Sequence, residues 1–119
     1  MHKVNLSEKF AQFNEQWSPK IVGKLNGQEV KIAKIQGEFI WHAHEKEDEL
    51  FYIVKGHITL KLRDRDIELD EGEMFIVPKG VEHKPVAEEE ARILMFEPAS
   101  TLNTGNIDNE RTVSDPEEL

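Results

Sequence analysis

The sequence predicts an all-β fold, an antiparallel sandwich or barrel preceded by one short N-terminal helix. Three observations carry this. Apolar residues alternate with polar ones in short runs that recur every eight to twelve residues from Ile21 to Phe96. Turn-forming residues separate those runs: Asn26-Gly27, Gly56, Asp64, Asp70-Glu71-Gly72 and Pro78-Lys79-Gly80. Only one segment, at the N-terminus, has helical period, which argues against alternating β and α units.

Residues 5–17 read as that helix. Leu6, Phe10, Phe13 and Trp17 recur at spacings of four, three and four, Asn5 or Ser7 caps it, and Pro19 stops it. Beyond Pro19 the period becomes two. Ile21 to Leu25 and Glu29 to Gln36 flank Asn26-Gly27, the pair favoured in type I′ hairpins because both positions need positive φ. Further strands are expected over Glu38 to His44, Glu49 to Val54, Ile58 to Arg63, Ile67 to Leu69, Met74 to Val77, His83 to Val86 and Arg92 to Phe96. The tail from Glu97 turns polar, with Leu102, Ile107 and Val113 as its few apolar anchors. The chain therefore divides into a helix and hairpin arm (1–27), a barrel (28–98) and a polar extension (99–119).

At 119 residues the chain has the length of one domain, with an expected radius of gyration of roughly 13–14 Å. Its 24 Asp and Glu against 15 Lys and Arg leave a net charge of −9. Such a surface repels phosphate backbones and anionic headgroups, so neither nucleic acid nor membrane is an expected partner. Cysteine is absent, which excludes disulfides, thiolate metal sites and a thiol nucleophile. Without an apolar stretch long enough to span a bilayer or a signal-like start, a cytoplasmic location is expected.

Chemistry concentrates in the histidines. His2 sits at the terminus and His57 follows a turn, so both are expected to be exposed. His42 and His44 stand two apart in a segment read as a strand, which would put both rings on one face, about 7 Å apart at the backbone. Glu49 heads the apolar run Leu50-Phe51-Tyr52-Ile53-Val54. A carboxylate there is either the end of a solvated loop or a buried charge needing a cation. Farther on, Gly72, five residues, Pro78, one residue, Gly80, two residues and His83 describe a strand, a tight turn and a histidine opening the next strand.

Together, His42-x-His44, four residues, Glu49, six residues and Gly56 resemble the first motif of the cupin family, and Gly72 to His83 resemble the second. The resemblance spans about residues 28–98 with eight agreeing positions. It implies a double-stranded β-helix, or jelly-roll, barrel and the metal ligands His42, His44, Glu49 and His83. The run Phe39 to His44 and the tail pieces Asn103-Thr104-Gly105 and Arg111-Thr112 also resemble a subgroup of small bacterial single-domain cupins. Its members are often loosely labelled mannose-6-phosphate-isomerase-like, and the likeness implies a tail that packs back on the barrel. Two departures are visible. Four residues rather than five separate Gly37 from His42, and Ala87 stands where the second motif often ends in Asn.

Three imidazoles and a carboxylate suit Mn, Fe, Co, Ni, Cu or Zn and leave room for further ligands on a five- or six-coordinate ion. Strand parity makes Ile40 and Phe51 pocket-lining if His42 and Glu49 face inward, with Met95 joining from the last strand. Two function classes follow. One is a metal-dependent enzyme on a small molecule, an oxygenase in preference to a sugar or sugar-phosphate isomerase, with Glu49 as its catalytic base. The other is a non-catalytic ligand-binding or sensor module. Exposed sheet edges, and the dimers common among cupins, imply a homodimer.

Overall fold

The computed structural model describes residues 1–119, and its radius of gyration is 13.3 Å. A single helix, α1 (Leu6–Phe10), is followed by seven strands: β1 (Lys20–Leu25), β2 (Gln28–Glu38), β3 (Glu49–Lys55), β4 (His57–Leu62), β5 (Asp66–Asp70), β6 (Met74–Val77) and β7 (His83–Pro98). All strand pairs are antiparallel. One layer runs β1-β2-β7-β3-β6, and β4 joins β5 to the first part of β7.

The long strand β7 builds the closure. Its start, His83 to Val86, pairs with β4, while Arg92 to Phe96 pairs with β3, and β2 follows it almost throughout. Two separate strands, His83 to Val86 and Arg92 to Phe96, are expected from the sequence; here one strand carries Glu88, Glu89 and Glu90, exposed, across the bend between layers. A register shift between Ile35 and Gly37 on β2 accompanies that bend. These charged residues are the solvent face of a strand whose buried neighbours are Ala87 and Ala91.

Between the layers lies a core that includes Ile35, Ile53, Ile58, Leu60, Val77 and Ile93. Alternation drives it: in β3, Glu49, Phe51 and Ile53 are buried while Leu50, Tyr52 and Val54 are half-buried on the other face. The hairpin β1–β2 turns at Asn26 and Gly27, with φ of 49° and 77°, as a type I′ turn demands.

The helix is shorter than its apolar stripe predicts. Asn5 caps it by accepting from the Glu8 N–H at 3.0 Å, but it ends at Phe10. Tertiary contacts split the stripe between two places. Phe10 and Phe13 join Val22 and Ile32 in a second apolar cluster, whereas Trp17 packs against the main core. To reach it, Gln16 bridges Lys34 of β2, and Trp17 adopts φ of 59° while its N–H donates to the Lys34 carbonyl.

The tail also folds back. Ile21 N–H donates to the Glu117 carbonyl, and Leu119 N–H donates to that of Ile21. Two of its three expected apolar anchors are loose, Leu102 and Ile107 being about 40% exposed, while Val113 is half-buried; the fully buried residue is Thr104, hydroxyl to hydroxyl with Thr112 at 2.7 Å. Hydrogen bonds replace the missing apolar surface.

Candidate metal centre

His42 and His44 do not lie on a strand. Residues 39–48 are irregular, and only His42 forms a bridge, to His83. That bridge has two bonds, His42 N–H to the His83 carbonyl at 3.1 Å and His83 N–H to the His42 carbonyl at 2.9 Å. Backbone pairing thus joins the two motifs directly. Alongside, the His44 carbonyl accepts from Gly80 N–H at 2.8 Å, so the Pro-Lys-Gly turn holds the far side of the same segment. Glu49 enters as the first residue of β3, paired in register with Val77.

The tail completes the clamp. Asn106 grips Ala43, between the two histidines, from both sides: its Oδ1 accepts from Ala43 N–H at 3.0 Å and its N–H donates to the Ala43 carbonyl at 3.0 Å. Gly105, at φ 57°, lies against this segment so closely that a Cβ would overlap the Ala43 carbonyl and meet His42 Cδ2 at 3.1 Å.

The four side chains converge. His42, His44, Glu49 and His83 are each at most 4% exposed, and one ligand atom from each lies within 4.8 Å of the others. Imidazole Nδ1 of His42 sits 2.9 Å from the Ile40 carbonyl, and that of His83 sits 2.9 Å from the Val81 carbonyl. A carbonyl only accepts, so both rings carry the proton on Nδ1 and present a bare Nε2 lone pair. Glu49 Oε1 is 3.2 Å from His44 Nε2 and 3.4 Å from His83 Nε2, without hydrogen-bond alignment. Both His44 nitrogens, His83 Nε2 and Glu49 Oε1 are therefore buried without partners. Groups left unsatisfied in a dry interior cost about 1–3 kcal/mol each, and a divalent transition ion would take one ligand atom from each of the four residues. The residues fit a metal.

Electrostatics agree. Burial and then the neighbouring His83 push His42 down to about 4, so its ring is neutral, as a ligand must be. Burial alone would raise Glu49, but the neighbouring Glu97 carboxyl and the His44 and His83 rings hold it well below the usual carboxylate range. Burial and the Glu49 charge push Glu97 well up, against the pull of Lys31.

Glu97 lies outside the sequence reading, which ends the last strand at Phe96. It is 2% exposed, and Lys31, equally buried, donates to its Oε1 at 3.0 Å and to the Thr101 carbonyl at 3.1 Å. Period two from Met95 would have found it. Ile40 departs from expectation in the other direction. Period-two parity fails in the irregular segment, so Ile40 contributes its carbonyl to His42 and Phe39 takes the place at the cavity wall. Phe51 and Met95 line that cavity, with Trp17, His42 and Glu49. Its walls are mostly apolar and include no Lys or Arg, and the cavity they enclose is about 30 Å³, room for a water or two.

Comparison with known proteins agrees with this architecture. Residues 28–97 match the family model described as Cupin domain. A cupin-2 domain containing protein from Shewanella frigidimarina NCIMB 400 superposes with a TM-score of 0.79 at 44% identity, over 80% of this chain and 93% of that one. The chain is 29% identical to the uncharacterized protein YdbB of Bacillus subtilis over 80 residues, 66% of this chain and 65% of the relative. It is also 29% identical to 3-hydroxyanthranilate 3,4-dioxygenase of Xenopus laevis over 102 residues, 79% of this chain but only 36% of the enzyme. With more than half its length covered by the family model and its two motifs meeting at one buried centre, the chain belongs to the cupin family.

Proposed function

We propose that this cupin binds a transition metal through His42, His44, Glu49 and His83 and acts on a small, partly apolar molecule by oxygenase-type chemistry. The observation that carries the reading is the convergence of buried, unpartnered donor atoms at the wall of an apolar cavity. When bound, the ion would supply Lewis acidity toward oxygens of the substrate. His42 and His83 hold their rings by Nδ1 hydrogen bonds, and the Asn106–Ala43 clamp fixes the span between His42 and His44. Glu49 brings the negative charge and serves as base, with the buried Glu97 carboxyl beside it. Phe51, Met95 and Trp17 exclude water from the remaining wall. Matches to 3-hydroxyanthranilate 3,4-dioxygenases support the oxygenase reading over a sugar-phosphate isomerase, as does the absence of a cationic cradle in the walls.

Elemental analysis of untagged protein tests the metal, and oxygen uptake with 3-hydroxyanthranilate and simple catechols tests the chemistry after iron or manganese loading. About one equivalent of metal and uptake lost on chelation are expected. Metal-loaded protein that consumes no oxygen across the panel would sink the oxygenase reading. Tight binding without turnover would instead favour a binding or sensor module, which the lack of further acid–base groups on the cavity wall supports.

The proposal extends to a homodimer through edge strand β6. Met74 and Ile76 are about half exposed there and lie in register beside Tyr52 and Leu50. Light scattering is expected to give twice the chain mass, falling to a monomer in Ile76→Lys.

A further inference from the structure

A row of acids crosses the inner face of the barrel beside the candidate metal centre. Glu29 of β2 stands opposite Glu97 of β7. Leu50 of β3 stands opposite Phe96, so antiparallel register sets Glu49 beside Glu97 on the other flank. Three buried carboxyl groups thus span three neighbouring strands, from Glu29 through Glu97 to Glu49.

A single ammonium group lies within ion-pair distance of this row, that of Lys31, which is itself buried. Its Nζ is 3.0 Å from Glu97 Oε1 and 3.7 Å from Glu29 Oε1, and it donates to the Thr101 carbonyl at 3.1 Å. Three contacts therefore fix the amine, and the amine fixes one oxygen of Glu97. The other oxygen, Glu97 Oε2, is buried without a hydrogen-bond partner, as is Glu49 Oε1. The polar neighbours of Glu49 are His44, His83 and Glu97.

Stability does not account for such a pair. Each ion gives up its hydration on burial, and well-packed apolar residues of similar volume commonly serve a fold as well or better. Lys31 and Glu97 lie on alternating strands whose other inward residues include Ala33, Ile93 and Met95, where leucine and methionine would fill the space. What sets the pair apart from that core is its place next to Glu49.

We infer that Lys31 and Glu97 are positioning residues: Lys31 fixes Glu97, and Glu97 keeps the Glu49 carboxylate aimed at His44 and His83. Pinned at Oε1, Glu97 cannot yield to Glu49 and limits the directions in which that carboxylate turns, whichever of the two acids carries a proton. A ligand held in one orientation offers an ion a preformed site, and removing such supporting groups typically costs about tenfold or more in metal affinity. This inference deepens the proposed function and rests on it for the ion alone.

Cobalt(II) titration against a competing chelator, read with the visible spectrum of the bound ion and with urea unfolding, tests the pair. In the double variant Lys31→Met, Glu97→Leu, stability should equal or exceed wild type, while cobalt binds about tenfold more weakly and its absorption bands shift. A pair that served packing alone would move the unfolding midpoint and leave the spectrum unaltered. Wild-type affinity and spectrum in the double variant would overturn the inference. If that variant fails to fold, Glu97→Gln, which keeps the side-chain size, decides instead: weaker affinity with a changed spectrum is expected, and no change in either overturns it. A wild type that takes up no cobalt would sink the metal reading, and the nitrogen chemical shifts of the His44 and His83 rings in metal-free protein then test the positioning role. Glu97→Gln should displace both, and unmoved shifts would overturn it.

Discussion

Two clusters in this molecule contain histidine and carboxylates, and they differ in almost every physical respect. On the outer face of β4 and β5, His57 bonds Asp70 Oδ1 through Nδ1 at 2.7 Å and approaches Glu68 through Nε2 at 3.3 Å, with nearly half its side chain exposed. The Asp70 and Glu68 carboxylates raise the His57 pKa. Inside, His42 is pushed down to about 4, and the donors around it lack partners. Composition does not separate the two clusters. Desolvation does: water and partners satisfy the outer groups, whereas the inner ones are left with lone pairs aimed at one another. Unmet hydrogen bonding in a dry place, not the residue list, marks a metal centre.

The sharpest way to break this contrast is metal uptake. Glu49→Ala and His83→Ala should each reduce bound metal from about one equivalent to none after desalting, while circular dichroism shows the barrel retained. His57→Ala and Glu68→Ala should leave uptake unchanged. Loss of metal in the outer variants would collapse the distinction.

Acid titration of the metal-free protein gives a smaller contrast of opposite signs. His42 titrates near 6.5 when unfolded and about 4 when folded, so in that window the unfolded chain binds the extra proton. The stability it confers is complete above about pH 6.5 and lost as pH falls toward 4. Measured by urea unfolding, wild type should lose up to about 3 kcal/mol relative to His42→Gln across that window. His57, with its pKa raised, works the other way. Its contribution is complete below the unfolded pKa and is lost as pH rises through the folded one, and exposure keeps it under about 1 kcal/mol. A wild type equally stable, relative to His42→Gln, at pH 7 and pH 4.5 would contradict the desolvated state of the inner cluster.

Subtler still is Gly105→Ala, which touches no ligand atom. A methyl group there collides with the Ala43 carbonyl and crowds His42, so metal affinity should fall roughly tenfold in a chelator competition. The mutant barrel should melt within a few degrees of wild type. Unchanged affinity would show that the tail does not set the histidine geometry.

Much of this was legible beforehand because it depends on neighbours in sequence. Alternation in Leu50 to Val54, the Asn26-Gly27 turn and the spacing of the two motifs are short-range signals, and the structure contains the hairpin, the inward face and the meeting of His42 with His83. What misled was local signal overruled by distant partners. The apolar stripe from Leu6 to Trp17 predicts a helix that continues past Phe10, whereas the Lys34 and Gln36 carbonyls hold Trp17 in a non-helical conformation. The single strand β7 reads as two because its bend between layers exposes Glu88, Glu89 and Glu90 in a row.

Residue order along the chain dictated which side chains would alternate, where it would reverse, and which imidazoles and carboxylates were on offer, since those depend on backbone sterics within a few residues. Only the closed barrel decided which offers were taken up. Burial stripped the inner donors of water, placed Glu97 beside Glu49, and brought Arg111 over Trp17 from the opposite end of the polypeptide. Dielectric environment and long-range contact are properties of packing, and no local pattern encodes them.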